Sequence, residues 1–380
     1  LAEQFTAKKF DADELLWRAK QWGMRYAILT CKHHDGFCLY DSKLTDFTTT
    51  KTACKRDLVG EFVAACRKHG LRIALYHSLN DWTHEPNSVD ALERGGECYQ
   101  AFIDFAHGQI REILTNYGKI DIMWFDGWWP FTADGWQARK LIEMVRKLQP
   151  GILVNDRTGL AGDYGTPEKH IASSGRPWEA CMTLNEHWGF HRGDQEWKSP
   201  KAVAEMLRQC AAGCGNLVIN VGPEGDGSVP RASLECLDTV GQWLGANGEA
   251  IYDTVRCEYD MFHTGAGIGD WDSSGAFTAN ATNLFWHVRY WPVPRLVLTG
   301  LECKVVEASL LATGERLPFR QEADRLVIEP VPEEMDTTMP VVIRLRTKGL
   351  PRIYRCGGAR RPKVPHPRYD PTPFGSGQIG

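Results

Sequence analysis

One aspartate of the 380-residue sequence follows an apolar run and stands among aromatic residues. Asp126 comes directly after DIMWF and is followed by GWWP, so Trp124, Trp128 and Trp129 surround it in the sequence. An aspartate before glycine is common in turns, and that interpretation needs no chemistry. A carboxylate among aromatic rings is also typical of a nucleophile, or of a group that stabilises an oxocarbenium-like transition state. The aromatic neighbours favour this second interpretation for Asp126.

Cleavage of a glycosidic bond needs a second carboxyl group, one that stays protonated near neutral pH. Glu179 follows Trp178 and precedes three apolar residues, so partial burial would raise its pKa. Glu168 lies beside Lys169 in a polar loop, which favours its ionised form, and Glu186 lies between polar residues. The sequence ranks Glu179 first, Glu186 second and Glu168 third, by a small margin.

The triplet His33-His34-Asp35 offers imidazole and carboxylate groups in a row. Neighbours on an extended strand point to opposite faces, and neither HExxH nor His-x-His occurs, so a metal site is disfavoured. Two interpretations remain open: imidazoles that donate hydrogen bonds to substrate hydroxyls, or histidines with a structural role. Arg157 also has alternatives: it pairs with Asp126, donates to a sugar hydroxyl, or lies on the surface.

Elements that could position these residues alternate along the first 222 residues. Helices with apolar positions three and four apart are each followed by glycine and a short apolar strand, which predicts a parallel sheet. The predicted helices are 11–22, 55–69, 97–117, 138–149 and 200–213, and the strands that follow them are 26–31, 71–78, 120–125, 152–155 and 217–222.

A closed barrel explains the placement of polar residues better than an open sheet does. No GxGxxG follows the first strand and no GxxxxGK[ST] occurs. An open sheet binds its ligand at one switch point, whereas a (β/α)8 (TIM) barrel uses many strand ends. Residues capable of chemistry follow four of the strands: His33, His34 and Asp35; Tyr76, His77 and Asp81; Asp126; Asn155, Asp156 and Arg157.

The pattern changes after a further predicted helix at 230–247. Short β-type runs at 276–290, 295–307, 325–329 and 340–347 predict an antiparallel β-sandwich. The predicted domains are therefore a catalytic (β/α)8-like barrel at 1–250, a β-sandwich at 251–348, and an irregular tail rich in proline and glycine at 349–380.

Composition excludes several classes of protein. The net charge of −4, from 44 Lys+Arg and 48 Asp+Glu, argues against nucleic acid as a partner, and no apolar run is long enough for a membrane helix. The 12 cysteines contain no CxxC pair and mostly stand among apolar residues, which predicts buried reduced thiols. The 14 tryptophans suit either sugar binding or an aromatic core.

A set of longer motifs resembles one enzyme family. KHHDGFCLYDSKLTDF (32–47), RDLVGEFVAACRKHGLRIALYHSLNDW (56–82), WFDG (124–127), VNDR (154–157), WEACMTLNEHWGF (178–190), NLVINVGPEGDG (216–227) and WLGANGEAIY (243–252) are similar to motifs of the α-L-fucosidases of glycoside hydrolase family 29, in the same order. The resemblance implies a (β/α)8-like domain followed by a β-sandwich, no cofactor or metal, and retaining hydrolysis of terminal α-L-fucosyl residues of a glycan.

The resemblance also implies roles for individual residues. The nucleophile of the family falls on Asp126, and in members with WExC the acid/base falls on Glu179. Residues expected to bind the sugar are His33, His34, Tyr76, Trp124 and Arg157, with Trp188 or Phe190 near the methyl group of fucose.

One departure from the family pattern leads to alternatives. Family members carry an upstream strand with an HWG-type motif, followed by a Glu-Trp segment, and neither precedes the predicted strand 26–31 in this sequence. We therefore expect a barrel that lacks its first strand and has low activity. The alternatives are a sugar-binding remnant without activity, and a hydrolase of a fucose-like sugar such as galactose. The sequence leaves linkage, homo-oligomerisation and cellular compartment open.

Overall fold

The computed structural model describes residues 1–256, 258–260, 275–288, 290–291 and 294–355. The chain forms two units. The first comprises Leu1–Thr166 with Gly222–Pro230, and the second comprises Pro167–Val221 with Arg231–Gly380. The predicted domain boundaries at residues 250 and 348 stay predictions.

The first unit contains a four-stranded parallel sheet with the strand order β1-β2-β3-β4. Its alternation of helices and strands confirms the predicted α/β pattern. The elements are α1 (Ala12–Gln21), β1 (Tyr26–Lys32), α2 (Leu58–His69), β2 (Arg72–Ser78), α3 (Ser88–Arg94), α4 (Gly96–Asn116), β3 (Ile122–Asp126), α5 (Ala138–Leu148) and β4 (Leu153–Val154), with short 3-10 helices at Ala2–Gln4 and Thr49–Lys51.

Local sequence explains where the helices of this unit begin. The Asp11 carboxylate accepts a hydrogen bond from Glu14 N at 3.0 Å at the start of α1, and Asp57 accepts one from Gly60 N at 2.9 Å at the start of α2. Such caps satisfy amides that have no partner inside the helix. The short helix α3 is not among the predicted elements; Asn87 caps its start.

The register of the sheet places the candidate residues at one edge. Tyr76 lies opposite Trp124, and Ser78 lies opposite Asp126, across the β2–β3 pair. All residues of β3 are buried, whereas β1 is half-buried over most of its length. The carboxyl ends of β2 and β3 therefore present Tyr76 and Asp126 side by side.

The second unit combines two parallel strand pairs with antiparallel sheets. Its elements are β5 (Glu179–Thr183), α6 (Pro200–Ala212), β6 (Asn216–Asn220), α7 (Arg231–Asn247), a 3-10 helix (Gly248–Ala250), β7 (Val255–Arg256), β8 (Glu258–Asp260), β9 (Gly275–Ala279), β10 (Asn283–Val288), β11 (Leu296–Leu298), β12 (Lys304–Leu310), β13 (Phe319–Glu322), β14 (Arg325–Ile328), β15 (Val341–Lys348) and β16 (Arg352–Arg355). β5 pairs with β6 in parallel, and the predicted antiparallel strands form a five-stranded sheet, β12-β15-β10-β9-β7, and a three-stranded sheet, β11-β14-β13.

The two antiparallel sheets share one apolar core. Trp286 and Ile343 of the larger sheet are fully buried in the same cluster as Leu326 and Ile328 of the smaller sheet. The run at 276–290 is a hairpin rather than one strand, because a short turn separates β9 from β10. β5 and β13 are further strands that the sequence analysis did not predict.

Regular structure continues past residue 348. The predicted irregular tail begins with a strand, because residues 352–355 form β16 and pair in parallel with β8; residues 356–380 lie outside the described residues.

Strands β1 to β4 form one parallel sheet, and β5 and β6 form another. The closure of these six strands into one barrel stays a prediction.

The cysteines agree with the predicted buried thiols at most described positions. The thiols of Cys31, Cys38, Cys54, Cys66, Cys181, Cys210 and Cys236 are buried, Cys98 and Cys303 are partly buried, and Cys214 is exposed. Cys257 and Cys356 lie outside the described residues. None of the helices that the structure describes has the length and apolar character needed to cross a membrane.

Candidate active site

Asp126 is the last residue of β3 and its carboxylate is held by two donors. The Tyr76 hydroxyl donates to Oδ2 at 2.7 Å, and Arg157 Nη1 donates to Oδ1 at 3.1 Å. Only 8% of Asp126 is exposed. A buried carboxylate needs such partners, because the loss of water would otherwise disfavour its charged form.

The backbone around Asp126 is fixed on both sides. Gly127 has a φ of +73°, and a Cβ atom there would lie 2.4 Å from Ser78 Oγ, so only glycine fits. The amide side chain of Asn155 pairs with the backbone of Phe125: Nδ2 donates to the carbonyl, and Oδ1 accepts from the amide, both at 2.9 Å. Asn155 thus orders the strand at the residue before the carboxylate.

Arg157 is held by contacts in addition to Asp126. Its Nε donates to Thr166 Oγ1 at 3.0 Å, and Nη2 donates to the Thr166 carbonyl at 3.1 Å. The guanidinium lies 4.8 Å from the ring centre of Trp124. These contacts orient the planar group so that one of its nitrogens faces Asp126, which suits a guanidinium better than an ammonium.

Aromatic rings form a wall beside the carboxylate. Tyr76 stacks on Trp124, with ring centres 5.3 Å apart and an angle of 19°, and on His33, with centres 5.8 Å apart and an angle of 11°. Trp124 is buried, whereas His33 is exposed. This stack orients the Tyr76 ring, and with it the hydroxyl that donates to Asp126.

The two histidines lie side by side, which contradicts the expectation that they point to opposite faces. β1 ends at Lys32, so His33 and His34 are not on an extended strand, and their ring centres are 3.9 Å apart. His34 is buried and its Nε2 lies 3.9 Å from Asp126 Oδ2, beyond hydrogen-bond distance.

Ser78 connects His34 to the loop after β2. Ser78 Oγ lies 3.0 Å from the Asn80 carbonyl oxygen and 2.5 Å from His34 Nδ1. The tautomer of His34 decides whether Nδ1 donates to Ser78 Oγ or accepts from it. In either case the contact orients the His34 ring, and Nε2 is the nitrogen nearer Asp126.

Both histidines favour the neutral form. Burial, together with the neighbouring His33, lowers the pKa of His34 to about 4. Burial also lowers the pKa of His33, although Asp35 and Asp126 oppose the shift. At neutral pH the site thus presents uncharged imidazoles beside the Asp126 carboxylate.

A buried ion pair fixes the loops that carry His34. Lys32 Nζ lies 2.9 Å from Asp81 Oδ2, and both side chains are almost fully buried. Burial alone would raise the pKa of Asp81, but Lys32 and the amides of Thr83 and His84 outweigh it and lower that pKa. The pair joins the end of β1 to the loop after β2.

His77 and Asp35, which the sequence analysis names as capable of chemistry, have different surroundings from Asp126. His77 is fully buried and alternates with the inward-facing Tyr76 and Ser78, so burial lowers its pKa well below the usual value. Asp35 is exposed and accepts a hydrogen bond from Phe37 N at 3.2 Å. Within the described ranges, no three His, Cys, Asp or Glu side chains are grouped as metal ligands would be.

The three candidate acids lie in the second unit and differ in burial. Glu179 begins β5 and only 3% of it is exposed, whereas Glu168 and Glu186 are exposed. The neighbour of Glu179, Trp178, packs against Gly215, where a Cβ atom would lie 2.2 Å from the indole ring. Glu179 is thus more completely buried than the partial burial that the sequence predicts, and Gly215 leaves space for the tryptophan beside it.

One of the two predicted aromatic residues of this unit, Trp188, contacts Glu168. Trp188 Nε1 donates to Glu168 Oε1 at 3.1 Å, and Lys169 Nζ lies 5.9 Å from the centre of the Trp188 ring. Phe190 is 40% exposed. The backbone of Glu168 also pairs with that of Cys181 in β5 through an isolated bridge. Glu168 therefore lies beside the strand that begins with Glu179.

Sequence reasoning missed several residues that hold the site. Ser78 and Thr166 are ordinary residues in the sequence, and only tertiary structure brings them to His34 and Arg157. The sequence analysis names Asn155, at the end of the predicted strand 152–155, among residues capable of chemistry, but did not predict that it pairs with the backbone of Phe125.

Comparisons with known proteins agree on one family. The model of the Alpha-L-fucosidase family matches residues 1–249. A putative α-L-fucosidase of Caenorhabditis elegans is 32% identical over 268 residues, which is 67% of this chain and 55% of that protein. The chain thus spans just over half the length of this relative.

Solved structures extend the match over most of the chain. α-L-Fucosidase isoenzyme 1 from Paenibacillus thiaminolyticus is 33% identical with a TM-score of 0.83, and the match covers 91% of this chain and 89% of that one. A GH29 α-L-fucosidase from Bacteroides thetaiotaomicron, solved as a trapped covalent intermediate with 2-fluoro-fucosyl fluoride, is 28% identical with a TM-score of 0.81, covering 92% and 84%. The family model, which matches well over half of the residues, and these structures together show that the chain belongs to the α-L-fucosidase family.

Proposed function

We propose that this chain is a retaining exo-α-L-fucosidase that hydrolyses terminal α-L-fucosyl residues of glycans. The observation that carries the proposal is the buried Asp126 carboxylate, held by Tyr76 and Arg157 beside an aromatic wall. The Bacteroides thetaiotaomicron relative was trapped as a covalent intermediate, which supports the same type of intermediate here.

The first step is attack by the Asp126 carboxylate on the anomeric carbon of the fucosyl residue. A C–O bond forms to Asp126, and the glycosidic C–O bond breaks as Glu179 donates its proton to the leaving oxygen. The products are a fucosyl-enzyme ester and the free alcohol of the remaining glycan. In the second step Glu179 takes a proton from water, the water oxygen attacks the anomeric carbon, and Asp126 leaves as a carboxylate.

The partners of Asp126 hold the nucleophile in place. Tyr76 and Arg157 occupy one lone pair on each carboxylate oxygen, so the group has few other orientations. Both donors thus contact the group that attacks in the first step. A positioned nucleophile avoids much of the entropy cost of bringing the reactants together.

The histidines supply hydrogen bonds to the sugar. His33 and His34 hydrogen-bond to hydroxyls of fucose. Tyr76 and Trp124, stacked on each other beside Asp126, border the bound sugar. Trp188 and Phe190 remain the proposed neighbours of the fucose methyl group, and a galactose-specific enzyme would need space there for a hydroxymethyl group.

The arrangement of the whole domain is part of the proposal. The parallel strands β1 to β6 would form a (β/α)8-like barrel over residues 1–250, as the solved relatives suggest, with a β-sandwich at 251–348. In such a barrel the active site lies at the carboxyl ends of the strands, where Tyr76 and Asp126 are found.

Turnover of an aryl α-L-fucoside, compared between wild type and Asp126→Gly, tests the proposal. We expect the wild type to release fucose and Asp126→Gly to lose turnover, because no ester can form. Added azide should restore cleavage of the aryl group in Asp126→Gly and give fucosyl azide of inverted configuration. A wild-type chain that binds fucose without turnover would instead support the sugar-binding alternative, and faster hydrolysis of the matching galactoside would support the galactose alternative.

A further inference from the structure

Two exposed tryptophans contact His34, the histidine that lies beside the candidate nucleophile. Trp82 is 60% exposed and Trp129 is 56% exposed, although both are large apolar residues. The ring centre of His34 lies 5.4 Å from that of Trp82 and 4.8 Å from that of Trp129. The same histidine has its Nε2 3.9 Å from Asp126 Oδ2.

Both tryptophans lie in loops that follow strands of the sheet. Trp82 lies in the loop after β2, and its amide donates to the His34 carbonyl at 2.8 Å. Trp129 lies three residues after Asp126 in the loop after β3, past the turn at Gly127. The two loops thus bring both indole rings against the His34 ring.

Trp82 and Trp129 differ in burial from Trp124, the tryptophan of the aromatic wall. Trp124 is only 6% exposed and stacks on Tyr76 beside the carboxylate. An exo-acting enzyme takes the terminal sugar inwards and leaves the rest of the glycan pointing to solvent. The next sugar must then lie over side chains that are exposed and adjacent to the first binding position, and Trp82 and Trp129 have both properties.

We propose that Trp82 and Trp129 form an aromatic platform that binds the pyranose residue to which the fucose is attached. This proposal rests on the proposed fucosidase function. One face of a pyranose carries several C–H bonds, and packing that face on an indole ring removes apolar area of both partners from water. A pyranose-linked fucose is thus preferred over fucose on a small or flexible aglycone.

The alternative role for these tryptophans is to support the His34 ring. The two roles predict different kinetics. A platform acts only on substrates with a second sugar, and its binding energy is used in the transition state as well as in the complex. A support for His34 acts on every substrate alike, because His34 contacts the fucose itself in the proposed mechanism.

Two substrates with the same fucosyl group separate these roles. α-L-Fucosyl-(1→2)-galactose has a second sugar, and α-L-fucosyl fluoride has none. We expect Trp82→Ala and Trp129→Ala each to lower kcat/KM for the disaccharide about tenfold, and that for the fluoride by no more than about twofold. Trp82→Phe and Trp129→Phe should retain most of the activity on the disaccharide. Trp17→Ala is the matched control, since Trp17 is 45% exposed on α1 and is none of the residues assigned to the site.

Equal losses on both substrates, or no loss on the disaccharide, would overturn the platform. Calorimetric titration of the unreactive Asp126→Asn variant separates this failure from failure of the proposed function. The platform predicts that the disaccharide binds more tightly than free fucose, and that Trp82→Ala and Trp129→Ala each reduce the difference. If the affinities are equal, there is no platform, whatever the activity of the wild type. If they differ but wild type releases no fucose from either substrate, the proposed function is wrong and the platform stands.

Discussion

The Arg157 guanidinium contacts Asp126 Oδ1 through Nη1 at 3.1 Å, and both side chains are largely buried. The same arginine is fixed by two contacts to Thr166 and lies over Trp124. One oriented cation thus compensates the burial of the candidate nucleophile. This relationship makes Arg157 the most informative residue to change after Asp126 itself.

Arg157→Ala should lower kcat/KM for α-L-fucosyl fluoride at least about 10-fold and up to about 150-fold, which corresponds to a charged hydrogen bond of roughly 1.5–3 kcal/mol. Thr166→Val is the matched control. It removes the hydroxyl contact to Arg157 but keeps the contact from the backbone carbonyl. The decrease in kcat/KM should therefore be several-fold smaller for Thr166→Val than for Arg157→Ala. Activity of Arg157→Ala within about twofold of wild type would show that the ion pair does not serve the reaction.

Glu179→Gln should affect substrates according to their leaving groups. A nitrophenyl leaving group needs little protonation, so the rate of hydrolysis of a nitrophenyl fucoside should fall only modestly. The rate of hydrolysis of α-L-fucosyl-(1→2)-galactose should fall about 10²–10⁴-fold, because its leaving group needs the proton. Glu168→Gln is the comparison variant, because Glu168 is exposed and bound by Trp188. If Glu168→Gln shows the leaving-group dependence and Glu179→Gln does not, Glu168 is the acid, and the assignment of Asp126 is unaffected.

His34 should titrate near pH 4 instead of near 6.5, and histidine-selective NMR can follow it. His33→Gln should raise this pKa, since a neighbouring imidazolium no longer opposes the charge, and Asp126→Asn should lower it further. Because the unfolded chain takes up the His34 proton first, the contribution of neutral His34 to the free energy of unfolding is complete above pH 6.5. It is lost as the pH falls towards 4. A midpoint at 6.5 in the folded protein would contradict the burial argument.

Asp81→Ala should lower the free energy of unfolding by about 3–5 kcal/mol, because it leaves the Lys32 ammonium buried without its partner. The double variant Lys32→Met with Asp81→Leu should recover much of this loss, since no charge remains buried. Urea unfolding at pH 7 measures both. A loss below about 1 kcal/mol for Asp81→Ala would mean that water reaches Lys32 and that the pair does not fix the two loops.

Regular elements of the first unit were predictable because local signals agree with the fold. The predicted helix ends near Gly23, Gly70 and Gly118 lie within two residues of the observed ends. α3 was missed because it is short and lies in a polar stretch whose signal is the cap at Asn87. The sequence analysis predicted one β-type run at 276–290 where the structure has the hairpin of β9 and β10. The turn at Asn280 is short, so it hardly interrupts the run of strand-forming residues.

The site was predictable where a residue follows a strand, and less so where loops fold back. Tyr76 and Asp126 share one sheet edge, so strand positions alone place them together. The orientation of His33 and His34 was predicted wrongly, because β1 ends one residue before them. Ser78 and Thr166 act through partners that are distant in the chain, and no local pattern indicates such contacts.

Trapping of the covalent intermediate tests the central claim most directly. The full chain is incubated with 2-fluoro-fucosyl fluoride, which slows the breakdown of a fucosyl-enzyme ester, and the labelled protein is digested and mapped by mass spectrometry. We expect one 2-fluorofucosyl group per chain, attached to Asp126, and no label on the Asp126→Gly variant. A label on another carboxylate, or turnover of an aryl fucoside by the wild type with no labelled protein under any condition, would contradict the assignment of Asp126 as the nucleophile.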